Sequence, residues 1–376
     1  MRRAAVVILL LTGPLSACTS NEVLVPIGGT PAAPRSLTAA YYAGAVTVGW
    51  ELAPDWNDEA FRVYSRRTSD PSYFMIAEVT SCSDGLCEYQ DWNVSAGQTY
   101  EYYVSAVDGD SGTETATASS VEVFVPNPVP PPVPDGPFVI ALDGANFFTW
   151  GTDSRGVSDF AFYRVYQDAG TTSYLLGETD SEGFLDLLAA NGTTYDYFVT
   201  AVDSDGHESV GSAFASGTPR PDFHGEWIYD HFDDPTASGF RFSDDESTYP
   251  ILSGTDANRD FHVERDLGGA WWLVPNTGTS IYPTGFATTA LKCGAGADAG
   301  CTDVSVAPSS GYTTADVELL PQTTYVIRID SGGTAYYGAI RVVFQGFDQN
   351  GDAMMIFDWA FQLQAGNPNL APPSGG

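Results

Sequence analysis

Apolar and polar side chains alternate along most of the chain in short runs, as in strands that bury one face. The runs Phe61–Tyr64 and Tyr100–Val107 alternate aromatic or β-branched residues with polar ones. Clusters of Gly, Asp, Ser and Pro separate such runs, and helical periodicity is almost absent. This pattern predicts an all-β protein built from antiparallel sandwiches.

An internal repeat occupies the first two thirds of the chain. The segment Thr99–Asp108 (TYEYYVSAVD) recurs 95 residues later as Thr194–Asp203 (TYDYFVTAVD). Upstream, Trp50 corresponds to Trp150 at an offset of 100 residues. The fall in offset means that the first copy holds five extra residues between these landmarks, in a window that also contains a pair of cysteines.

Each copy resembles the fibronectin type III family in its early tryptophan and in the Thr-Tyr-x-Tyr-x-Val-x-Ala-Val-Asp strand. The resemblance implies two tandem immunoglobulin-like sandwiches, with Trp50 and Trp150 packed between the sheets. It also implies that Tyr100 and Tyr195 are corner tyrosines, whose hydroxyls hydrogen-bond to an upstream backbone group.

The C-terminal third, from about residue 221 to 365, breaks the repeat and is rich in aromatic residues. Alternation predicts strands at Gly239–Phe242, Asp260–Glu264, Ala270–Val274, Thr324–Ile329, Tyr336–Phe347 and Met354–Gln364. The sequence Asp348–Asp352 between the last two predicts a hairpin turn, and its Asn350-Gly351 pair favours type I′ geometry. We therefore expect a C-terminal antiparallel β domain.

The segments Gly239–Ser243, Asp260–Glu264, Thr324–Arg328 and the hairpin Ala339–Gln364 resemble the HmuY-like family of bacterial surface lipoproteins. The best-known members of that family take up haem, so the resemblance makes haem a possible ligand. The axial ligands of the family have no counterpart that can be placed here. By residue type alone, the possible iron ligands are His224, His231, His262, Met354 and Met355.

Simpler interpretations of these residues stand beside haem binding. His262 lies between Phe261 and Val263, so in a strand it points away from both and is expected to face solvent. Met354 and Met355 are adjacent, so one of them is expected to fill the core.

Trp271 and Trp272 must point to opposite faces of a strand. One of them is therefore a candidate exposed aromatic that stacks on sugar or peptide. The alternative is a role at a sheet edge or an interface.

The N-terminus has the pattern of an export signal. Arg2 and Arg3 precede a short apolar run at residues 4–11 (AAVVILLL), which is too short to span a membrane. Leu15-Ser16-Ala17-Cys18 then resembles a bacterial lipobox, which implies cleavage before Cys18 and acylation of it. The alternative is an ordinary secretory signal. The lipid would anchor the protein in the cell envelope, and Thr19 favours the outer membrane or cell surface.

Composition shifts divide the chain further. The predicted segments are a signal peptide (1–17), a tether (18–30), the first sandwich (31–126), a proline-rich linker (127–135), the second sandwich (136–220), the C-terminal domain (221–365) and a tail (366–376). The linker contains enough proline to favour an extended polyproline II spacer.

Charge and cysteine content constrain the partners and the compartment. The chain has 48 acidic and 15 basic residues and a net charge of −33. Such a surface repels nucleic acid, and solubility is its simplest explanation. The pairs Cys82/Cys87 and Cys293/Cys301 predict local disulfides in an oxidising compartment. Neither pair has the spacing typical of a zinc site.

Catalytic motifs are scarce. The sequence has four histidines and no G-x-S-x-G, P-loop, HExxH or C-x-x-C motif. His207-Glu208-Ser209 lies in a predicted loop with no positioned nucleophile. Asp108–Gly112 and Asp203–Gly206 could begin calcium loops, but they are more typical of hairpin turns.

We therefore expect a non-catalytic envelope lipoprotein that presents its C-terminal domain to a ligand or partner on two sandwich spacers. No cofactor is required by the sequence. The alternatives are a haem-binding uptake lipoprotein and a carbohydrate-binding or glycosidase accessory protein.

Overall fold

The computed structural model describes residues 30–219, 225–243, 248–293 and 297–370. The chain divides into two compact units, Met1–Asn127 and Pro128–Gly376. Within the described ranges, no helix is long and apolar enough to cross a membrane.

The described part of the first unit is one antiparallel sandwich. Its strands are β1 (Arg35–Tyr42), β2 (Ala45–Glu51), β3 (Ala60–Arg67), β4 (Phe74–Val79), β5 (Leu86–Asp91), β6 (Gln98–Val107), β7 (Glu114–Ala116) and β8 (Val121–Val125). One sheet has the order β1-β2-β5, and the other has the order β4-β3-β6-β7, with β8 also paired to β6.

The second unit begins with a sandwich of the same design. Its strands are β9 (Phe138–Ala141), β10 (Asn146–Thr149), β11 (Phe160–Asp168), β12 (Ser173–Thr179), β13 (Gly183–Asp186), β14 (Tyr195–Asp203) and β15 (Ala215–Gly217), with a 3₁₀ turn at Asp153–Gly156. The sheets have the orders β13-β10-β9 and β12-β11-β14-β15. Both sandwiches are fibronectin type III-like, so the predicted fold class is confirmed.

The repeated landmarks occupy equivalent places in the two cores. Trp50 and Trp150 are buried between the sheets, as expected. The hydroxyl of Tyr100 accepts a hydrogen bond from the backbone N–H of Ser95 at 2.9 Å. The hydroxyl of Tyr195 accepts one from Ala190 at 3.0 Å. Both corner tyrosines are therefore confirmed.

A second repeated hydrogen bond lies deeper in each sandwich. The Tyr102 hydroxyl donates to Asp91 at 2.9 Å, and Tyr197 donates to Asp186 at 2.8 Å. All four residues are buried. Because a buried carboxylate needs hydrogen-bond donors, each pair stabilises its core only as long as both partners are present.

Half of the proline-rich segment belongs to the second sandwich. Pro131 and Pro134 are buried, and the Ser154 hydroxyl donates to the Pro132 carbonyl at 2.7 Å. The N–H of Gly151 donates to the Asp135 carbonyl at 2.7 Å. These residues are therefore packed on a domain, rather than extended as a free spacer.

The C-terminal region forms a third sandwich. Its strands are β16 (Gly225–Tyr229), β17 (Gly239–Phe240), β18 (Ile251–Leu252), β19 (Phe261–Arg265), β20 (Trp271–Pro275), β21 (Thr279–Ala287), β22 (Val317–Leu319), β23 (Thr323–Ser331), β24 (Thr334–Phe347) and β25 (Ala353–Gln362), with a 3₁₀ turn at Pro235–Ala237. The large sheet has the order β16-β25-β24-β23-β21 and faces a second sheet of order β18-β17-β19-β20-β22.

Each of the six strands predicted here coincides with a strand of the structure. Aromatic side chains from both sheets fill the space between them. The ring of Phe240 lies 5.0–5.4 Å from the rings of Phe242, Phe261, Phe357 and Trp359.

The C-terminal sandwich also has a tyrosine corner, which was not predicted from the sequence. The Tyr325 hydroxyl accepts from the Leu320 N–H at 2.8 Å and donates to the Glu318 carbonyl at 2.9 Å. The residue three positions before the tyrosine has a positive φ in all three corners: 72° at Gly97, 79° at Gly192 and 60° at Gln322. The shared Thr-Tyr dipeptide was the available signal.

We expect Tyr325→Phe to lower the free energy of unfolding of the second unit by about 1–2 kcal/mol, since it leaves the partly buried Leu320 N–H without its acceptor and the Glu318 carbonyl without its donor. Tyr195→Phe should cost less, because the equivalent bond of Tyr195 is exposed. Urea titrations of both variants would measure the difference. Equal losses of unfolding free energy in the two variants would show that the burial of a corner tyrosine does not determine how much its hydrogen bond stabilises the domain.

Candidate functional site

The second sandwich and the C-terminal sandwich share an apolar interface inside the second unit. Phe147 and Leu185 project from the outer face of the β13-β10-β9 sheet and contact the cluster that contains Met354 and Ile356. The rings of Phe147 and Phe344 are 4.9 Å apart. The second sandwich is therefore built into the C-terminal domain, and not an independent spacer.

The internal repeat shows how the sequence creates this interface. The pair Phe147↔Leu185 on β10 and β13 corresponds to the pair Thr47↔Gln90 on β2 and β5. Both apolar residues are buried, whereas Gln90 is exposed. The outer face of this sheet is thus polar in the first copy and apolar where it meets a neighbouring domain.

The turn between β24 and β25 closes the interface. Thr179 donates through its hydroxyl to the Gln349 carbonyl at 2.9 Å, and the Gln349 side chain accepts from the Leu185 N–H at 2.8 Å. A Cβ on Gly183 would clash with the carbonyl oxygen of Phe347, so this position requires glycine. The equivalent residue of the first copy is the exposed Glu88.

The predicted type I′ turn is wrong, although the hairpin itself is confirmed. Asp348 and Asp352 close a three-residue loop, and Gly351 has φ 82°. Asn350 is not in the left-handed region that type I′ geometry requires. A type I turn followed by a left-handed glycine is the usual solution for a loop of this length.

Both predicted disulfides are present. Cys82 is bonded to Cys87 and Cys293 to Cys301. The first closes the five-residue insertion, where Ser83 and Leu86 form an isolated bridge. Cys18, the predicted lipidation site, and His224 lie outside the described residues.

Trp271 and Trp272 point to opposite faces of β20. Trp271 belongs to the core between the two sheets. Trp272 is half-buried on the outer face, and its indole N–H donates to Asp266 at 3.1 Å. The more open of the two tryptophans is thus held by a turn carboxylate.

The expectation that His262 faces solvent is wrong. His262 does point away from Phe261 and Val263, but it is only 9% exposed, because the segment after β16 covers this face. The ring of His231, in that segment, lies 5.0 Å from the ring of His262. His262 Nε2 lies 3.5 Å from Glu264, and its Nδ1 is buried without a hydrogen-bond partner.

The expectation that one of the two adjacent methionines fills the core is confirmed, and the other is buried as well. Met355 lies in the core between the C-terminal sheets, and Met354 lies in the interface with the second sandwich. Both are fully buried. The large sheet is covered on both faces at this point, so successive residues of β25 are apolar.

The candidate iron ligands that the structure describes are not arranged to bind a haem. Of the described candidates, only His231 and His262 lie together, and a haem would have to separate their rings within a packed region. Met354 and Met355 are in different clusters. In the described ranges, no three His, Cys, Asp or Glu side chains are arranged to hold a metal ion.

Burial and the nearby Arg259 and His231 lower the pKa of His262, and Glu264 opposes them only in part. The unfolded chain therefore binds the proton at a higher pH than the folded chain. The stability contributed by neutral His262 is present above about pH 6.5, the usual pKa of histidine, and is lost as the pH falls below it.

Urea unfolding at pH 7.5 and 5.5 should therefore show a larger loss of stability on acidification in the wild type than in His262→Gln. An equal loss of stability in the wild type and in His262→Gln would contradict the lowered pKa of His262.

The segment around His207, Glu208 and Asp203 has a structural role. Glu208 accepts hydrogen bonds from Thr200, Tyr166 and Arg164, and despite the opposing effect of burial these bonds lower its pKa. Asp203 accepts from the N–H groups of Asp205 and His207, so the turn interpretation is confirmed there.

A surface depression lies beside the turn between β19 and β20. It is lined by Asp230, Phe232, Glu264 and residues 265–269. The Leu267 side chain is completely exposed at the tip of the turn, and Phe232 is 69% exposed. Burial raises the pKa of Asp230, whose carboxylate caps the backbone N–H groups of Arg265 and Phe232.

Arg265 is the unusual residue of this depression. Its guanidinium lies 5.0 Å from the ring of Phe347 and 5.6 Å from that of Trp271. Its Nε is buried without a hydrogen-bond partner. Neither Arg265 nor Leu267 was predicted from the sequence. An apolar residue beside Gly268 and Gly269, in a turn between two strands, was the available signal.

Comparisons with known proteins give limited matches. No family model matches the chain. The chain is 27% identical over 223 residues to Exoglucanase B of Cellulomonas fimi, which is 56% of this chain and 19% of that enzyme. The chain therefore spans less than a fifth of the length of this relative.

Two solved structures are similar in part. The chicken CNTN1 FN1–FN3 domains align with a TM-score of 0.39 and 15% identity, over 51% of this chain and 69% of that one. A myokine structure aligns with a TM-score of 0.22 and 21% identity, over 26% of this chain and 99% of that one.

Proposed function

We propose that this chain is a non-catalytic cell-envelope lipoprotein that binds a ligand through its second compact unit. The first sandwich acts as a spacer behind the lipid on Cys18. The second sandwich and the C-terminal sandwich form one binding body, joined through Phe147. The protein is anchored at the outer membrane or the cell surface.

The depression around Arg265 carries the binding role. Other polar groups that could serve chemistry are engaged in the fold, as with Glu208 and the Asp203–His207 pair. At the depression, the apolar side chains of Leu267 and Phe232 are exposed, and the half-buried Arg265 has no ion-pair or hydrogen-bond partner for its guanidinium among the residues that the structure describes. Exposed apolar groups next to a few polar ones are typical of a binding surface.

Cell fractionation tests the anchor. We expect the wild-type protein in the membrane fraction and Cys18→Ser in the soluble fraction, since loss of the acyl chains removes the membrane affinity. The wild type in detergent buffer and Cys18→Ser in detergent-free buffer should unfold at the same temperature. Retention of Cys18→Ser in membranes would contradict a lipid anchor at this residue.

A second candidate function is that of a carbohydrate-binding or glycosidase accessory protein. The match to Exoglucanase B favours it. We expect no release of reducing sugar from cellulose or xylan by the purified chain. Release that stops when a single carboxylate is replaced would instead indicate an enzyme.

The resemblance of the C-terminal domain to the HmuY-like family stays a proposal. The segments that carry it form β17, β19, β23 and the β24–β25 hairpin. We propose that the C-terminal domain has the architecture of this lipoprotein family but does not have a haem site.

A further inference from the structure

Arg265 differs from the other arginines that line the sandwich surfaces. Arg62, Arg66, Arg155 and Arg164 each form an ion pair with a glutamate. The side chain of Arg265 forms no ion pair or hydrogen bond with any residue that the structure describes. Two aromatic rings hold its guanidinium in place instead, which fixes its position without using its donors.

Hydrogen-bond acceptors line the same depression as this donor. Asp230 uses Oδ1 to accept from two backbone N–H groups, and its Oδ2 accepts from no described residue. Glu264 and Asp266 line the same depression. A ligand here therefore meets fixed donors and acceptors within one small area.

The charges select the class of ligand. An anion would meet the carboxylates of Asp230, Glu264 and Asp266, and a cation would meet the guanidinium of Arg265. A hydroxyl group both donates and accepts, so a neutral polyol satisfies both kinds of group without an unpaired charge. The strongly acidic chain further disfavours anionic polymers.

The exposed apolar side chains of the depression complement the apolar parts of such a ligand. Leu267 and Phe232 both line the depression and expose apolar area there. The C–H faces of a sugar ring are apolar, and they can pack on these side chains while the hydroxyls face inward.

We propose that this depression binds a short stretch of a neutral polysaccharide. Arg265 donates to sugar hydroxyls, Asp230 and Glu264 accept from them, and Leu267 and Phe232 cover the ring faces. This assignment rests on the proposed binding function of the second unit, for which it names the ligand class and the site.

The test uses the full exported chain with Cys18→Ser, mixed with microcrystalline cellulose, xylan or mannan. We expect measurable binding to at least one of the three. Leu267→Ser, Phe232→Ser and Arg265→Gln should each weaken that binding about tenfold or more, which is about 1.4 kcal/mol. Leu363→Ser and Phe286→Ser are matched controls, since these side chains are 62% and 51% exposed outside the depression, and they should bind as the parent does.

Polylysine and polygalacturonate serve as charged probes in the same assay. Binding to none of the three neutral polysaccharides overturns the proposal, as does equal binding by Leu267→Ser and the parent. Binding confined to a charged probe also overturns it. Membrane fractionation of the wild type is a separate measurement, so a negative result in the sugar-binding assay leaves the proposed lipid anchor at Cys18 untouched.

Discussion

Replacing Phe147 by threonine should lower the free energy of unfolding of the second unit by about 3 kcal/mol, within the range for loss of a buried aromatic ring. Phe147 is fully buried in the interface, where its ring contacts Phe344. Threonine is the residue that the first sandwich has at the same position, so the fibronectin type III-like fold tolerates it on this strand. The cost is therefore that of the interface alone.

Differential scanning calorimetry of the full chain measures this effect. We expect the transition of the second unit to move to lower temperature, and that of the first unit to stay unchanged as an internal reference. Phe138→Thr is the matched control, since Phe138 is 58% exposed on the neighbouring strand β9. A loss below 1 kcal/mol would mean that the two sandwiches are not energetically coupled.

Phe240→Ala should have the larger effect, a loss of about 4 kcal/mol. Phe240 is fully buried on β17, a two-residue strand, and contacts four other rings. The neighbouring rings are fixed by strands on both sheets, so they cannot move to fill the space that the alanine leaves.

Urea unfolding followed by tryptophan fluorescence would report this loss, since Trp359 lies 5.4 Å from the Phe240 ring. Phe286→Ala is the control, as its ring is half exposed and its removal should change stability by less than about 0.5 kcal/mol. An equal loss in the two variants would show that the aromatic cluster is not the stabilising core of this domain.

The two fibronectin type III-like sandwiches were predictable because the chain repeats their landmarks. Trp50, Trp150 and the two corner tyrosines are set by local strand patterns, and each lies within its own domain. Strand alternation also located six strands of the C-terminal sandwich. These features depend on short-range periodicity, which a single sequence displays.

The interface was not predicted, because alternation was interpreted strand by strand. Phe147-Phe148 breaks the alternation of β10, and the equivalent Thr47-Val48 preserves it. Only a comparison of the two copies shows that the outward position changed from polar to apolar. Burial of His262 was missed for a related reason, since its cover comes from a segment thirty residues away in sequence.

The candidate site depends on the same long-range packing. Arg265 is one of many charged residues in the sequence, and nothing local distinguishes it. Its two aromatic neighbours come from β20 and from the end of β24, about eighty residues later. The unpaired guanidinium could therefore be recognised only in three dimensions.

Gln322 limits how the tyrosine corner can be engineered. Both other corners have glycine at this left-handed position, so copying glycine here would relieve backbone strain. The Gln322 side chain, however, donates to the Val343 carbonyl at 2.8 Å and accepts from the buried Arg341. Gln322→Gly would thus relieve the backbone strain but remove one hydrogen bond from the Arg341 guanidinium, which would keep its bonds to the Thr288 carbonyl. Averaging the sequences of the three domains would therefore be a poor guide to a thermostable variant.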